Sequence, residues 1–254
     1  ISEECNYTRR TGTLMLKVPE IDFGNYVTVN QGILARLSSD FSWLKYGSAN
    51  PLSDKGEVHI SKWTGSSQKW ESTVYNEGEQ TACYGKYGWF YIGDEKGTKA
   101  DIVTPYMNGI QADSLLMVSF KAVAYTSESG AKDLAKLRVE VVGGGVIQDF
   151  AEEGRTSIDL DLQNFSVEDP KTVSTTMWDN EISAYNIFLI ATEKSPFTGN
   201  TRIRFVTPDG EGKPNRVAMD AIYVRKYVIN EEVQDEDMFA ANGGSGKDRI
   251  TVKK

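Results

Sequence analysis

The sequence predicts an all-β sandwich of two antiparallel sheets. Three observations carry this: apolar and polar residues alternate in several short runs, turn signals fall between those runs, and no segment combines sustained 3.6-residue periodicity with caps at both ends. Leu137-Arg-Val-Glu-Val141, Ile158-Asp-Leu-Asp-Leu162 and Arg202-Ile-Arg-Phe205 each put apolar side chains on one face and charges on the other. That is the pattern of a half-buried antiparallel strand.

The elements follow in order. Thr13 to Val18 is a possible strand near the start, and residues 116–125 (LMVSFKAVAY), 185–192 (YNIFLIAT) and 217–228 (VAMDAIYVRKYV) are strands rich in β-branched and aromatic residues. Phe41 and Trp43 alternate on a further strand, which places at least one of them in the core. GDEKG (93–97), SESG (127–130), GGG (143–145), EDP (168–170) and TPDGEGKPN (207–215) are turns, and Ala131 to Lys136 could make one helical turn. GGG lacks the Lys-Ser/Thr that follows a phosphate loop, so it reads as a turn or bulge.

A chain of 254 residues at 39% hydrophobic and 25% charged buries a substantial core and is not a disordered chain. The formal net charge of −8 argues against nucleic acid or an anionic membrane surface as the main partner and leaves neutral or cationic ligands open. No apolar run approaches the roughly 18 residues of a membrane span. Cys5 and Cys83 either bridge, as an oxidising compartment would allow, or are two unrelated thiols. With a single histidine they make no zinc site. Residues 1–36 form an N-terminal extension or the remnant of a preceding module, 37–229 the sandwich, and 230–254 an acidic then glycine-rich tail whose final ITVKK could pair as an edge strand.

The order DFSWL (40–44), a loop with Trp63 and Trp70, YGWFYIG (87–93), ADIVTPYMNGI (100–110) and LMVSFKAVAY resembles a galactose-binding-like jelly roll. LRVEVVGGG, YNIFLI, TRIRFVT and the closing RVAMDAIYV (216–224) continue the likeness. The resemblance implies a carbohydrate-binding module of secreted or surface-anchored bacterial proteins, extracytoplasmic and in contact with glycan or with other modules of a surface protein. It also implies structural calcium, with Asp220 at the closing-strand position and Asp40 near the first strand. Asn or Asp more often follows that aspartate, whereas Ala221 follows it here.

Sugar binding needs flat rings that stack on a pyranose beside groups that hydrogen-bond its hydroxyls. Trp63, Trp70 and Tyr75 lie in a stretch rich in Gly, Ser, Gln and Asn, and Trp178 is flanked by polar residues. In YGKYGWFYIG, alternation sends Phe90 and Ile92 to the core and leaves Tyr87, Trp89 and Tyr91 for a ligand or for covering loops. The carbohydrate candidates are Trp63, Trp70, Tyr75, Trp89, Tyr91 and Trp178. Each single ring also has a plain reading as core filler, because aromatics dominate sandwich cores.

Catalysis has little support. His59 lies on an alternating run, and neither G-x-S-x-G nor H-E-x-x-H occurs. Glu152 with Glu153, or Asp159 with Asp161, are the carboxylate pairs a glycosidase would need. The expectation is a non-catalytic glycan-binding module, with a structural or adhesion domain of a surface protein and a jelly-roll glycoside hydrolase as alternatives.

Overall fold

The structure is a computed structural model, and it describes residues 10–17, 24–31, 35–53, 56–66, 69–73 and 81–227. Tyr75, Cys5 and the 230–254 tail lie outside them. Strands β1 (Arg10–Lys17) and β2 (Gly24–Gln31) pair as an antiparallel hairpin in a two-stranded sheet of their own.

The remaining strands form the expected sandwich of two antiparallel sheets. They are β3 (Ala35–Ser39), β4 (Val58–His59), β5 (Cys83–Gly85), β6 (Phe90–Ile92), β7 (Ala100–Val103), β8 (Leu115–Ala124), β9 (Lys136–Val142), β10 (Val146–Ile147), β11 (Ser157–Asp161), β12 (Ala184–Ile190), β13 (Arg202–Thr207) and β14 (Val217–Lys226). The large sheet runs β10-β12-β8-β14-β6-β5-β4 with β3 also on β14, and the small sheet runs β11-β9-β13-β7. From β7 onward successive strands alternate between the two sheets, which is jelly-roll winding.

The inter-sheet core follows the period-2 pattern. Phe90, Ile92, Leu116, Val118, Phe120, Leu137, Val139, Ile203, Phe205, Val217 and Met219 pack in one cluster between the sheets. Cys83 joins them as a buried free thiol, and burial, with the Asp101 charge, pushes its pKa up. The GGG turn has φ of 80°, 127° and 88°; a Cβ on Gly145 would stand 2.3 Å from the Phe197 ring, so only glycine fits.

Two local expectations change. Phe41 and Trp43 are not on a strand: β3 stops at Ser39, Asp40 Oδ1 accepts the Ser42 N–H, and Phe41 turns into the left-handed region at φ 52°. That turn drives Phe41 fully into the core, 4.6 Å from the Phe90 ring. Residues 131–136 are extended rather than helical. Their donors go to distant acceptors, Asp133 N–H to Tyr125 O and Leu134 N–H to Pro214 O, which leaves no i→i−4 ladder. The short helices are instead α1 (Val173–Thr176) and α2 (Asn180–Ser183), in the connection between β11 and β12. Among the described residues no helix is long and apolar enough to cross a membrane.

Candidate functional site

The outer face of the large sheet, turned away from the sandwich core, divides into a covered half and an open half. On the covered half Trp89, Tyr91, Val123, Tyr125 and Ala218 form a second apolar cluster. The β11–β12 connection lies over them, contributing Phe165, Val173 and Met177, all buried.

Beyond that cover the same face opens. Ser119 of β8 is paired with Asn186 of β12 and with Tyr223 of β14, and Tyr223 with Ser38 of β3, so these four side chains share one row. The next row is Phe188, Met117 and Arg225. Their neighbours Ile187, Val118, Ile222 and Val224 point into the core, which fixes this row pair as outward. None of the seven is buried, and Asn186 and Arg225 are exposed. Phe188 meets Tyr227 edge-on at 5.1 Å, and the Arg225 guanidinium lies 5.1 Å from the centre of the Tyr223 ring.

A change of partner in β14 aims these side chains. Its far edge pairs with β6 along Val217–Met219 and with β3 along Ile222–Arg225. The β14–β8 register slips between Asp220 and Tyr223, and Ala221 takes φ 52°. This bulge reverses the phase of the strand and turns Tyr223 and Arg225 outward.

The border between the halves holds Asp220, Lys121 and Trp178. Lys121 pairs with Asp220 across β8 and β14, and its Nζ donates to Trp178 O at 2.7 Å. Burial pushes the Asp220 carboxyl up to about 7, and Asp40 adds to the rise, against the Ala221 N–H and Lys121. So Asp40 and Asp220, the residues proposed for calcium, are within electrostatic reach of each other. Among the described residues no group of three or more His, Cys, Asp or Glu is placed to hold a metal ion.

The remaining candidates are dispersed. Trp63 is half-buried, donates Nε1–H to Val58 O at 2.8 Å and meets Trp43 edge-on at 5.8 Å. Trp70 is buried against Phe41, its Nε1–H without an acceptor among the described residues. Trp89 is 2% exposed with Nε1–H on Ala49 O, and Tyr91 is 8% exposed with its hydroxyl on Glu57. Trp178 is half-buried against the covered cluster, 6.0 Å from Trp89, and its backbone O accepts from Lys121 at the border. Tyr87 is exposed and carries Lys45 over its ring at 4.8 Å.

The residues considered for catalysis have other partners. His59 Nε2 donates to Thr81 O at 2.8 Å, which leaves Nδ1 to accept from Ser61. Arg138 pairs with Asp159 and pulls its pKa down, and Lys136 pairs with Asp161. Glu152 and Glu153 line an open hollow of about 570 Å³ with Glu193 and Lys194.

No protein-family model and no curated protein sequence matches the chain. Among solved structures it is similar to a Stig cyclase from Fischerella sp. TAU (14% identity, 86% of this chain and 100% of that one, TM-score 0.38). It is also similar to the family 11 carbohydrate-binding module of cellulosomal cellulase Lic26A-Cel5E of Clostridium thermocellum (12%, 70% and 99%, TM-score 0.35). A third is the second N-terminal cellulose-binding domain of Cellulomonas fimi β-1,4-glucanase C (13%, 77% and 100%, TM-score 0.34). Likenesses at this level leave the role of the open face to be argued from its own residues.

Proposed function

We propose that the chain is a non-catalytic glycan-binding module and that its ligand lies across the open half of the large sheet. One observation carries the reading: among the described residues the β11–β12 connection seals one half of the outer face and does not extend over the other, where Tyr223 and Phe188 alternate with Ser119, Asn186 and Arg225. Half-exposed rings can stack on the C–H faces of sugars, and the interleaved amide, hydroxyl and guanidinium groups can hydrogen-bond the hydroxyls. Sheet-borne side chains are also held in fixed register, so the rings need little reorganisation on binding.

The non-catalytic part is supported by the pairing of Asp159, since a general acid needs a raised pKa and Arg138 lowers this one. An extracytoplasmic place of work fits such a ligand and belongs to the same proposal.

A glycan array probed with the wild type and with Tyr223→Ala tests it. The expected result is retention of at least one glycan class by the wild type and a loss of about tenfold or more in the variant, in line with removal of a stacking ring. Binding of no glycan, or equal binding by both proteins, overturns it.

A further inference from the structure

Six of the arginines whose side chains are described are ion-paired: Arg36, Arg138, Arg155, Arg202, Arg204 and Arg216. Arg225 pairs with no carboxylate among the described residues; it is exposed on the open face, over Tyr223. Lys121, at the border of that face, spends one N–H on Trp178 O and acts on Asp220 only through its field, with no carboxylate among the described residues in an ion pair with its Nζ. In a chain of net charge −8, the open face therefore presents two cations without ion-pair partners among the described residues. Their rows are set by Met117 and Lys121 on β8, four residues apart, so they bracket roughly 13 Å of sheet at about 3.3 Å per residue.

We infer that the ligand of this face is an acidic glycan, a polysaccharide whose carboxylate or sulfate groups engage Arg225 and Lys121 while a sugar ring stacks beside Tyr223. This rests on the glycan reading above and narrows it. A guanidinium already lying over an aromatic ring keeps its outer N–H edge for a planar oxyanion, the geometry in which arginine binds carboxylate and sulfate-like groups best. The spacing of the two cations suits a repeating polyanion rather than one charged sugar. Asp220 and Asp40 at the border oppose an anion there. Arg225 lies two rows away from Asp220 and is the dominant anchor.

Affinity electrophoresis or titration calorimetry in about 100 mM salt, with matched polymers, tests the inference: polygalacturonate against its fully methyl-esterified form for the carboxylate, and dextran sulfate against dextran for the sulfate. The expected result is that at least one charged polymer binds at least tenfold more tightly than its neutral partner. Arg225→Gln should abolish that preference with an unchanged melting temperature, Lys121→Gln should reduce it, and Lys62→Gln, an exposed charge elsewhere, should leave it intact.

Equal binding of a neutral and a charged polymer, with Tyr223→Ala still weakening both, overturns the acidic ligand and leaves the glycan reading standing. A charge preference that Lys62→Gln lowers as much as Arg225→Gln also overturns it, as nonspecific attraction. Binding of none of the four polymers overturns the inference, while the array decides the broader reading.

Discussion

Asp220 faces Lys121 across two strands, yet its carboxyl is pushed up to about 7, because burial disfavours its charge more than the neighbouring ammonium and the Ala221 N–H favour it. Asp40, after β3, adds its own charge to the rise. The native state therefore holds this proton more tightly than the unfolded chain does between about pH 4 and 7. Stability falls as pH rises through that window and stays lower above it. Asp220→Asn should raise stability at pH 8 by about 1–2 kcal/mol and leave it nearly unchanged at pH 4, read as the difference between urea midpoints. An anionic ligand should bind the wild type several-fold more tightly at pH 6 than at pH 8, and the variant should lose that dependence.

Ala221 sits at φ 52°, where a Cβ crowds the following carbonyl. Ala221→Gly and Ala221→Asn should each stabilise the fold by about 0.5–1 kcal/mol, since glycine and asparagine adopt this region at lower cost. Thermal melts check both variants. Unchanged or lower melting temperatures in both would mean that the surrounding strands tolerate the alanine without strain.

The two halves of the outer face should respond oppositely to loss of an aromatic ring. Trp89→Ala empties the sealed cluster and should cost about 3–5 kcal/mol. Tyr223→Ala, on the open half, should change stability by less than about 1 kcal/mol while weakening ligand binding. Denaturant unfolding and binding measured on the same two proteins separate the roles.

Gly93, at the end of β6, has φ 90°, and a Cβ there would stand 1.8 Å from Asn215 O. Gly93→Ala should cost about 3 kcal/mol or more, because the obstacle is backbone and has no rotamer to yield. Soluble yield and melting temperature report it.

The architecture was legible because it rests on local rules. The alternation in β9, β11 and β13 and the glycine turns each express one physical constraint. In YGKYGWFYIG the alternation also separated two sets of side chains: Phe90 and Ile92 lie in the inter-sheet core, and Trp89 and Tyr91 in the second cluster on the opposite face. What alternation does not encode is whether an outward ring is roofed. That depends on where the β11–β12 connection lands, some 75 residues later in the chain.

The open face was illegible for a related reason. Read with strict period 2 from Val217, Tyr223 and Arg225 fall in phase with Val217 and Met219 and look core-facing. The extra residue at Ala221 inverts that phase, and an alanine gives no warning of a left-handed position where Gly, Asn or Asp would. Net charge is silent in the same way, since a total of −8 does not say how the cations are distributed over the surface.

The segment roofing Trp89, Tyr91 and Tyr125 would give the proposed glycan face an adjustable ruler. The β11–β12 connection covers the outer face where β6, β8 and β14 meet and stops short of the rows shared by β12, β8, β14 and β3. If the proposed glycan lies there, the chain length it can present would be set by a surface connection that reaches the inter-sheet core through Leu162 and otherwise packs on the outer face. On that proposal, a longer or shorter connection would change how many sugar units fit, provided that Phe165, Val173 and Met177 still seal the cluster beneath it.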